Sequence, residues 1–217
     1  MDSSEGRRRY ATQVRRKAEL RSKRLIEALE TVAREDFLGP PPWRITRLPN
    51  LWNREFSSDL AQVYDDVVVA LDPARHLNNG LPSALTALID SLELKEGQTV
   101  LHAGTGTGYY TALIAHCVGE GGRVVGLELD PQLAKRAREN LKQLPQVERE
   151  LSLPALARQP EATWNADPTS GPMAEGKRIW IRDCRIWCDV PNRWCRARLC
   201  SKVPFLFRGL SVRGCTR

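Results

Sequence analysis

Three glycines at alternate positions, Gly104, Gly106 and Gly108, follow the segment Thr99-Val100-Leu101-His102-Ala103, and a carboxylate, Glu128, stands 24 residues beyond the first of them. A strand that ends in closely spaced glycines and feeds a helix brings bare main chain to a ligand at the carboxyl edge of a sheet. With three side chains removed, an adenosine-bearing cofactor can lie against the backbone. An acid at the tip of the next strand is suited to accept hydrogen bonds from both ribose hydroxyls, and its charge repels a 2′-phosphate. A glycine triplet alone can be no more than a tight turn; strands on either side and the spaced acid argue for a ligand.

The spacing also discriminates among cofactors. The dinucleotide pattern is G-x-G-x-x-G, whose third glycine permits close helix packing and whose helix N-terminus faces a pyrophosphate. Here the third glycine comes one residue early and Tyr109 stands where it would have been. G-x-G-x-G suits S-adenosylmethionine, which carries a zwitterion and no pyrophosphate. The expected cofactor contacts are Gly104, Thr105, Gly106, Gly108, Tyr109, Glu128 and Leu129. Tyr109 and Tyr110 open the following helix, where aromatic residues commonly belong to the core, although either could cover the cofactor.

The elements that must hold these residues follow from periodicity. Residues 7–34 read as one helix with Leu20, Ile26, Leu29 and Val32 on one side. Its run Arg7-Arg8-Arg9 reads as a solvated face rather than a polyanion site. Gly39-Pro40-Pro41-Pro42-Trp43 ends it and starts an extended connector. Val67–Leu71 is a short buried strand, and Pro82–Leu92 a helix with proline in its first turn. Thr99–Ala103 is a strand, Tyr109–Val118 a helix, Gly119–Gly122 a turn and Arg123–Leu129 a second strand. Asp130 and Pro131 then supply an N-cap and an N1 proline for a helix reaching about Leu144. Strand, helix, strand, helix is a βαβ unit, so the expected class is α/β: a Rossmann-like parallel sheet with helices on both faces.

The segment Leu94-Lys95-Glu96-Gly97-Gln98-Thr99-Val100-Leu101-His102-Ala103-Gly104-Thr105-Gly106-Thr107-Gly108-Tyr109 resembles the cofactor motif of the protein-L-isoaspartate O-methyltransferases. Further matches are Arg34-Glu35-Asp36-Phe37, Tyr64 with Asp65 and Asp66, and Glu128-Leu129-Asp130-Pro131 with the helix after it, so the resemblance spans roughly residues 25–147. It implies O-methylation of the α-carboxyl of L-isoaspartyl residues in damaged proteins, a repair reaction using S-adenosylmethionine. Such chemistry needs in-line positioning and partial desolvation of a carboxylate, not a catalytic triad, and none is found.

Two departures bear on the acceptor. The resemblance implies a Thr-Ile-Ser element before the proline of the preceding helix, where this chain has Asn78-Asn79-Gly80-Leu81-Pro82-Ser83. Asn78, Asn79, Gly80 and Ser83 are the expected acceptor contacts, through amide donors; an Asn-Asn-Gly turn capping the helix is the alternative. His102 replaces the family's strand-end acid and reads as a hydrogen-bonded strand residue, not a base. His76 and His116 have no ligand-spaced partner, and no metal is expected.

Charge and cysteine divide the chain. Residues 1–150 hold 21 Lys and Arg against 21 Asp and Glu, whereas residues 151–217 hold 12 against 5, which is the whole +7 excess. Five of the six cysteines, Cys184, Cys188, Cys195, Cys200 and Cys215, also lie there, interleaved with Trp180, Trp187 and Trp194. The expected organisation is an N-terminal helix and connector (1–50), a cofactor-binding core (51–147) and a poorly ordered basic tail (148–217) that leaves the sheet incomplete. No apolar strand period is found after Gln146. The tail's cysteine spacing lacks a C-x2-C pair for zinc, and its arginine–tryptophan pattern is a weak match to single-stranded nucleic-acid binders. Composition rich in Arg, Trp, Cys and Pro is also what GC-rich DNA yields out of frame. No run approaches the ~18 apolar residues of a membrane helix; residues Met1 to Lys23 lack the apolar stretch expected of a secretory signal, and Asp2, Glu5 and Glu19 argue against a transit peptide. The expectation is a cytoplasmic monomer acting on protein or peptide, with neither membrane nor nucleic acid as partner.

Overall fold

Pairing of the two predicted strands builds the centre of the molecule. In the computed structural model β5 (Thr99–Ala103) and β6 (Arg123–Glu128) run parallel, with Thr99 opposite Arg123 and Ala103 opposite Leu127. The helix between them, α5 (Tyr109–Val118), packs on both strands. It is apolar all round and is buried at every residue but His116. Asp130 caps α6 (Pro131–Asn140) by accepting the N–H of Gln132 at 3.0 Å and of Leu133 at 2.9 Å. That helix stops at Asn140, short of the expected Leu144, and packs on β6. The structure describes residues 3–48, 54–145, 147–152, 179–182, 185–190 and 193–196.

The expected single helix over 7–34 is two helices, α1 (Ser3–Ala18) and α2 (Lys23–Thr31), followed by a 3₁₀ turn, Arg34–Phe37. The break has local causes. Ser22 is an N-cap whose side chain accepts the N–H of Leu25, and the Asp90 carboxylate draws in the amides of Arg21 and Ser22. Leu20 and Leu29 still face the core, as the periodicity requires. Arg7 and Arg9 are engaged within the fold, with Glu30 and Tyr64 and with Ala61 and Asp65 respectively.

The connector holds a second sheet. β1 (Trp43–Thr46), β2 (Arg54–Ser57), β3 (Val68–Asp72) and β4 (Leu77–Asn78) pair antiparallel in the order β2-β1-β3-β4. Leu38, Trp43, Ile45, Val63, Val67 and Val69 form its core. Between β2 and β3 lies the one-turn helix α3 (Leu60–Val63), and after β4 comes α4 (Pro82–Asp90).

Strands also occur beyond Gln146, contrary to expectation. β7 (Val147–Ser152) runs parallel to β6, and β8 (Ile179–Arg182) runs parallel to β5 on its other side. β9 (Arg185–Val190) and β10 (Arg193–Arg196) extend the sheet antiparallel, giving the order β10-β9-β8-β5-β6-β7. Main-chain pairing needs no alternating pattern, so these strands carried no period to read. The glycine strand thus has neighbours on both edges, and the sheet has six strands among the described residues. Cys184, Cys200 and Cys215 lie outside the described residues.

Candidate functional site

At the exit of β5 the chain turns through Gly104, Gly106 and Gly108, with φ of +82°, +59° and +99°. The amides of Gly104 and Thr105 both reach the carbonyl of Leu127, at 2.7 and 3.2 Å, which ties the loop to the end of β6. A methyl group placed on Gly104 would meet no atom within 4 Å, so the main chain there is bare to the space outside. Gly108 differs. A methyl group on it would lie 2.8 Å from Leu141 Cδ1, so this glycine, one residue early, does what the third dinucleotide glycine does and lets the α6 end pack close. Asn140 Nδ2 donates to the Thr107 carbonyl at 2.9 Å and ties the loop to α6.

A cavity of about 240 Å³ opens beside this loop. One part of its wall is His102, Ala103 and Gly104 to Thr107; another is Asn78, Asn79 and Gly80 with Tyr109, Tyr110, Leu71 and Leu85. No Asp or Glu is among these residues. Of the expected cofactor contacts, Gly104, Thr105, Gly106 and Tyr109 line it, while Gly108, Glu128 and Leu129 do not. Glu128 is nonetheless bound to the loop, its Oε2 accepting the Gly106 N–H at 2.7 Å and its Oε1 that of Asp130 at 3.0 Å. Leu129, next to it, is an exposed large apolar side chain, 67% accessible. Bare glycine backbone, a carboxylate and an uncovered apolar side chain in this succession fit an adenosine-bearing group.

The acceptor-side residues separate into distinct roles. Asn78 Oδ1 accepts the Gly80 N–H at 2.9 Å, which makes the Asn-Asn-Gly turn. Gly80 has φ +74°, and a methyl group there would lie 2.5 Å from Leu85 Cδ1. Ser83 does not line the cavity: its hydroxyl donates to Asp66 at 2.8 Å and its amide to the same carboxylate at 2.8 Å. Asp66 thereby caps α4, whose N-cap residue Leu81 has no side chain to do so. Asn79 is 92% buried and accepts at Oδ1 from Arg34 Nη2 at 3.3 Å and from the Val69 amide at 3.2 Å.

Arg34 is a functional-site support that sequence reasoning missed. Wholly buried, it donates to the carbonyls of Val63, Asp65 and Val67 at 2.7, 3.0 and 2.7 Å, besides Asn79. Its signal was the Arg-Glu-Asp-Phe element itself, in which a charged residue precedes a buried phenylalanine.

His102 is neutral at physiological pH, because burial pushes its pKa from 6.5 down to about 4. Its Nδ1 lies 2.8 Å from Thr111 Oγ1, a link between β5 and α5 and not a base aimed at an acceptor. Burial likewise holds the Tyr110 phenol well above its usual pKa, so it stays protonated. Tyr109 is core, stacked edge-on to Phe37 and Tyr110 and bonded to Tyr10 at 3.3 Å. Among the described residues no group of three or more His, Cys, Asp or Glu could hold a metal, and no helix is long and apolar enough to cross a membrane.

Comparison with known proteins fits this geometry. The family described as protein-L-isoaspartate(D-aspartate) O-methyltransferase matches residues 7–153. A protein-L-isoaspartate O-methyltransferase 2 of Archaeoglobus fulgidus is 32% identical over 66% of this chain and 57% of its own length. The protein-L-isoaspartate O-methyltransferase of Aeropyrum pernix is 32% identical over 63% of this chain and 45% of its own. Among solved structures, a protein-L-isoaspartate O-methyltransferase superposes with a TM-score of 0.50 at 28% identity, covering 67% of this chain and 41% of that one. The fold is therefore the α/β Rossmann-like methyltransferase fold. The chain spans about half the length of these curated relatives.

Proposed function

Because the chain belongs to the protein-L-isoaspartate O-methyltransferase family, we propose that it is an S-adenosylmethionine-dependent O-methyltransferase acting on a carboxylate of proteins or peptides, an L-isoaspartyl residue foremost. Gly104, Thr105 and Gly106 would hold the cofactor with Glu128 and Leu129, while Gly108 and Tyr109 support the loop from behind. S-adenosylmethionine supplies an electrophilic methyl group on a sulfonium. An acceptor carboxylate is ionised at neutral pH and needs no base. What the protein has to do is bind that anion, orient it and strip part of its water.

The observation that supports this reading is the cavity wall: glycine backbone beside neutral hydrogen-bonding side chains, with no acidic residue among the described residues that line it. From those described residues a carboxylate meets amide, hydroxyl and main-chain groups and no like charge. Gly80 and His102, where the family resemblance implies a serine and an acid, favour a second reading within the same chemistry, a different carboxylate-bearing peptide. We take the protein to act in the cytoplasm and as a monomer.

Transfer of labelled methyl from S-adenosylmethionine to an isoaspartyl peptide is the test, with Glu128→Ala as control. Transfer that yields a base-labile ester supports the proposal. Binding of S-adenosylhomocysteine without transfer points to the other peptide acceptor, and no binding at all to an inactive remnant.

A further inference from the structure

The hairpin of β3 and β4 touches the glycine loop at one end and the start of α6 at the other. At its root, Leu71 Cδ1 lies 3.9 Å from where a methyl group on Gly106 would stand, and Leu71 forms part of the cavity wall. At its tip, Arg75 donates through Nη1 to Asp130 Oδ2 and through Nη2 to Gln132 Oε1 at 3.3 Å. Asp130 is the N-cap of α6, and its own amide is held by Glu128, which the reading above gives to the cofactor. The hairpin therefore reaches from Gly106 to the first residues of α6. We propose that this hairpin is a strap across one side of the cofactor site, latched by Arg75 on Asp130 and Gln132, and that the cofactor enters and leaves when the latch opens. The proposal rests on the methyltransferase reading above and adds how the site is opened.

The latch is built both to hold and to release. Asp72 prepares Arg75 for it: its Oδ2 accepts Nε at 2.6 Å, and its Oδ1 accepts the amides of Ala74 and Arg75 at 3.1 and 3.2 Å, which sets the turn. The guanidinium thus joins two carboxylates, Asp72 and Asp130, and without it they would stand near each other as like charges. Among the described residues little else secures the tip. Pro73, Ala74, Arg75 and His76 are all exposed, and β4 is two residues long, paired to β3 across a register shift. His76 has φ +57°, a left-handed conformation that a residue with a side chain enters at a cost. Segments with few buried apolar contacts and exposed hydrogen bonds are those that open locally. The Arg75 side chain is 41% accessible, so water and salt reach the ion pair, and it can part without unfolding the sheets.

The experiment uses the full chain and two variants. Arg75→Gln removes the latch, and Lys135→Gln removes an equal charge from an exposed position of α6. Hydrogen exchange of the ligand-free protein reads the latch itself. Amides of residues 74–79 should exchange about twofold to fivefold faster in Arg75→Gln than in wild type at low salt. That gap should close as salt rises from about 0.01 M to about 1 M, which screens the pair in the wild type. Lys135→Gln should exchange as wild type does. Stopped-flow mixing with S-adenosylhomocysteine then reads the passage. In Arg75→Gln association and dissociation should quicken by the same factor, leaving Kd within about twofold, because an opening step slows both directions alike. Unchanged exchange in residues 74–79, or unchanged rates, overturns the inference and leaves the methyltransferase reading standing. Faster dissociation alone makes Arg75 a cofactor contact and also overturns it. Equal quickening in Lys135→Gln assigns the effect to overall charge and does the same. Should the wild type not bind S-adenosylhomocysteine, the inference and the methyltransferase reading fall together.

Discussion

The Glu128 carboxylate accepts the main-chain N–H of Gly106 at 2.7 Å, so the acid at the tip of β6 clasps the loop that leaves β5. Its second oxygen takes the Asp130 amide, at the start of α6. A carboxylate has about four acceptor positions. Two are used here, which leaves capacity for a diol while the loop remains held. One buried side chain thus ties the glycine turn to the start of α6.

Glu128→Ala should therefore act twice, removing the ribose acceptor and releasing the loop. Hydrogen bonds to a charged group are each worth about 1.5–3 kcal/mol, so S-adenosylhomocysteine affinity should fall at least about tenfold. Calorimetry reads it, and unchanged affinity would remove Glu128 from the site.

Gly108→Ala should destabilise the fold more than an ordinary surface change. Its φ of +99° disfavours a side chain, and the added methyl would lie 2.8 Å from Leu141 Cδ1. Backbone strain and overpacking together give about 2–5 kcal/mol. Adding Leu141→Ala should recover the packing part but not the backbone part, a non-additivity that urea titration of the four proteins would show.

Arg34→Met should cost about 3–5 kcal/mol, because three carbonyls and the Asn79 oxygen lose their donor at once. Thermal unfolding measures the loss. A change of less than about 1 kcal/mol would mean that water replaces the guanidinium.

Stability should fall as pH drops below about 6.5. His102 has a folded pKa of about 4 against 6.5 unfolded, so in this window the unfolded chain binds the extra proton and gains from it. The loss approaches roughly 3 kcal/mol near pH 4. Carboxylates titrate there as well, so the measurement is the difference between wild type and His102→Gln across the range. A difference that does not change with pH would show His102 to be solvated.

The glycine loop, its two strands, α5 and the Asp130 cap were legible because each is local: turn glycines, an N1 proline and apolar runs act within a few residues. The break at Ser22 was not, since Asp90, which completes it, is 68 residues away. Asn79 and Ser83 looked alike in the sequence as short polar residues beside Pro82. Their separation into cavity wall and helix cap depends on Arg34 and Asp66, both brought there by tertiary folding. β7 and β8 were missed because pairing with β6 and β5 is a property of the partner strands as much as of their own residues.

The guanidinium of Arg34 turns the carbonyls of residues 63, 65 and 67 inward, toward itself. Three of that stretch's oxygens are gathered on one cation, so the ground beneath the Asn-Asn-Gly turn is shaped by an internal charge. The Arg-Glu-Asp-Phe signature accordingly marks a foundation. Two relatives sharing it would have the same floor under different tenants.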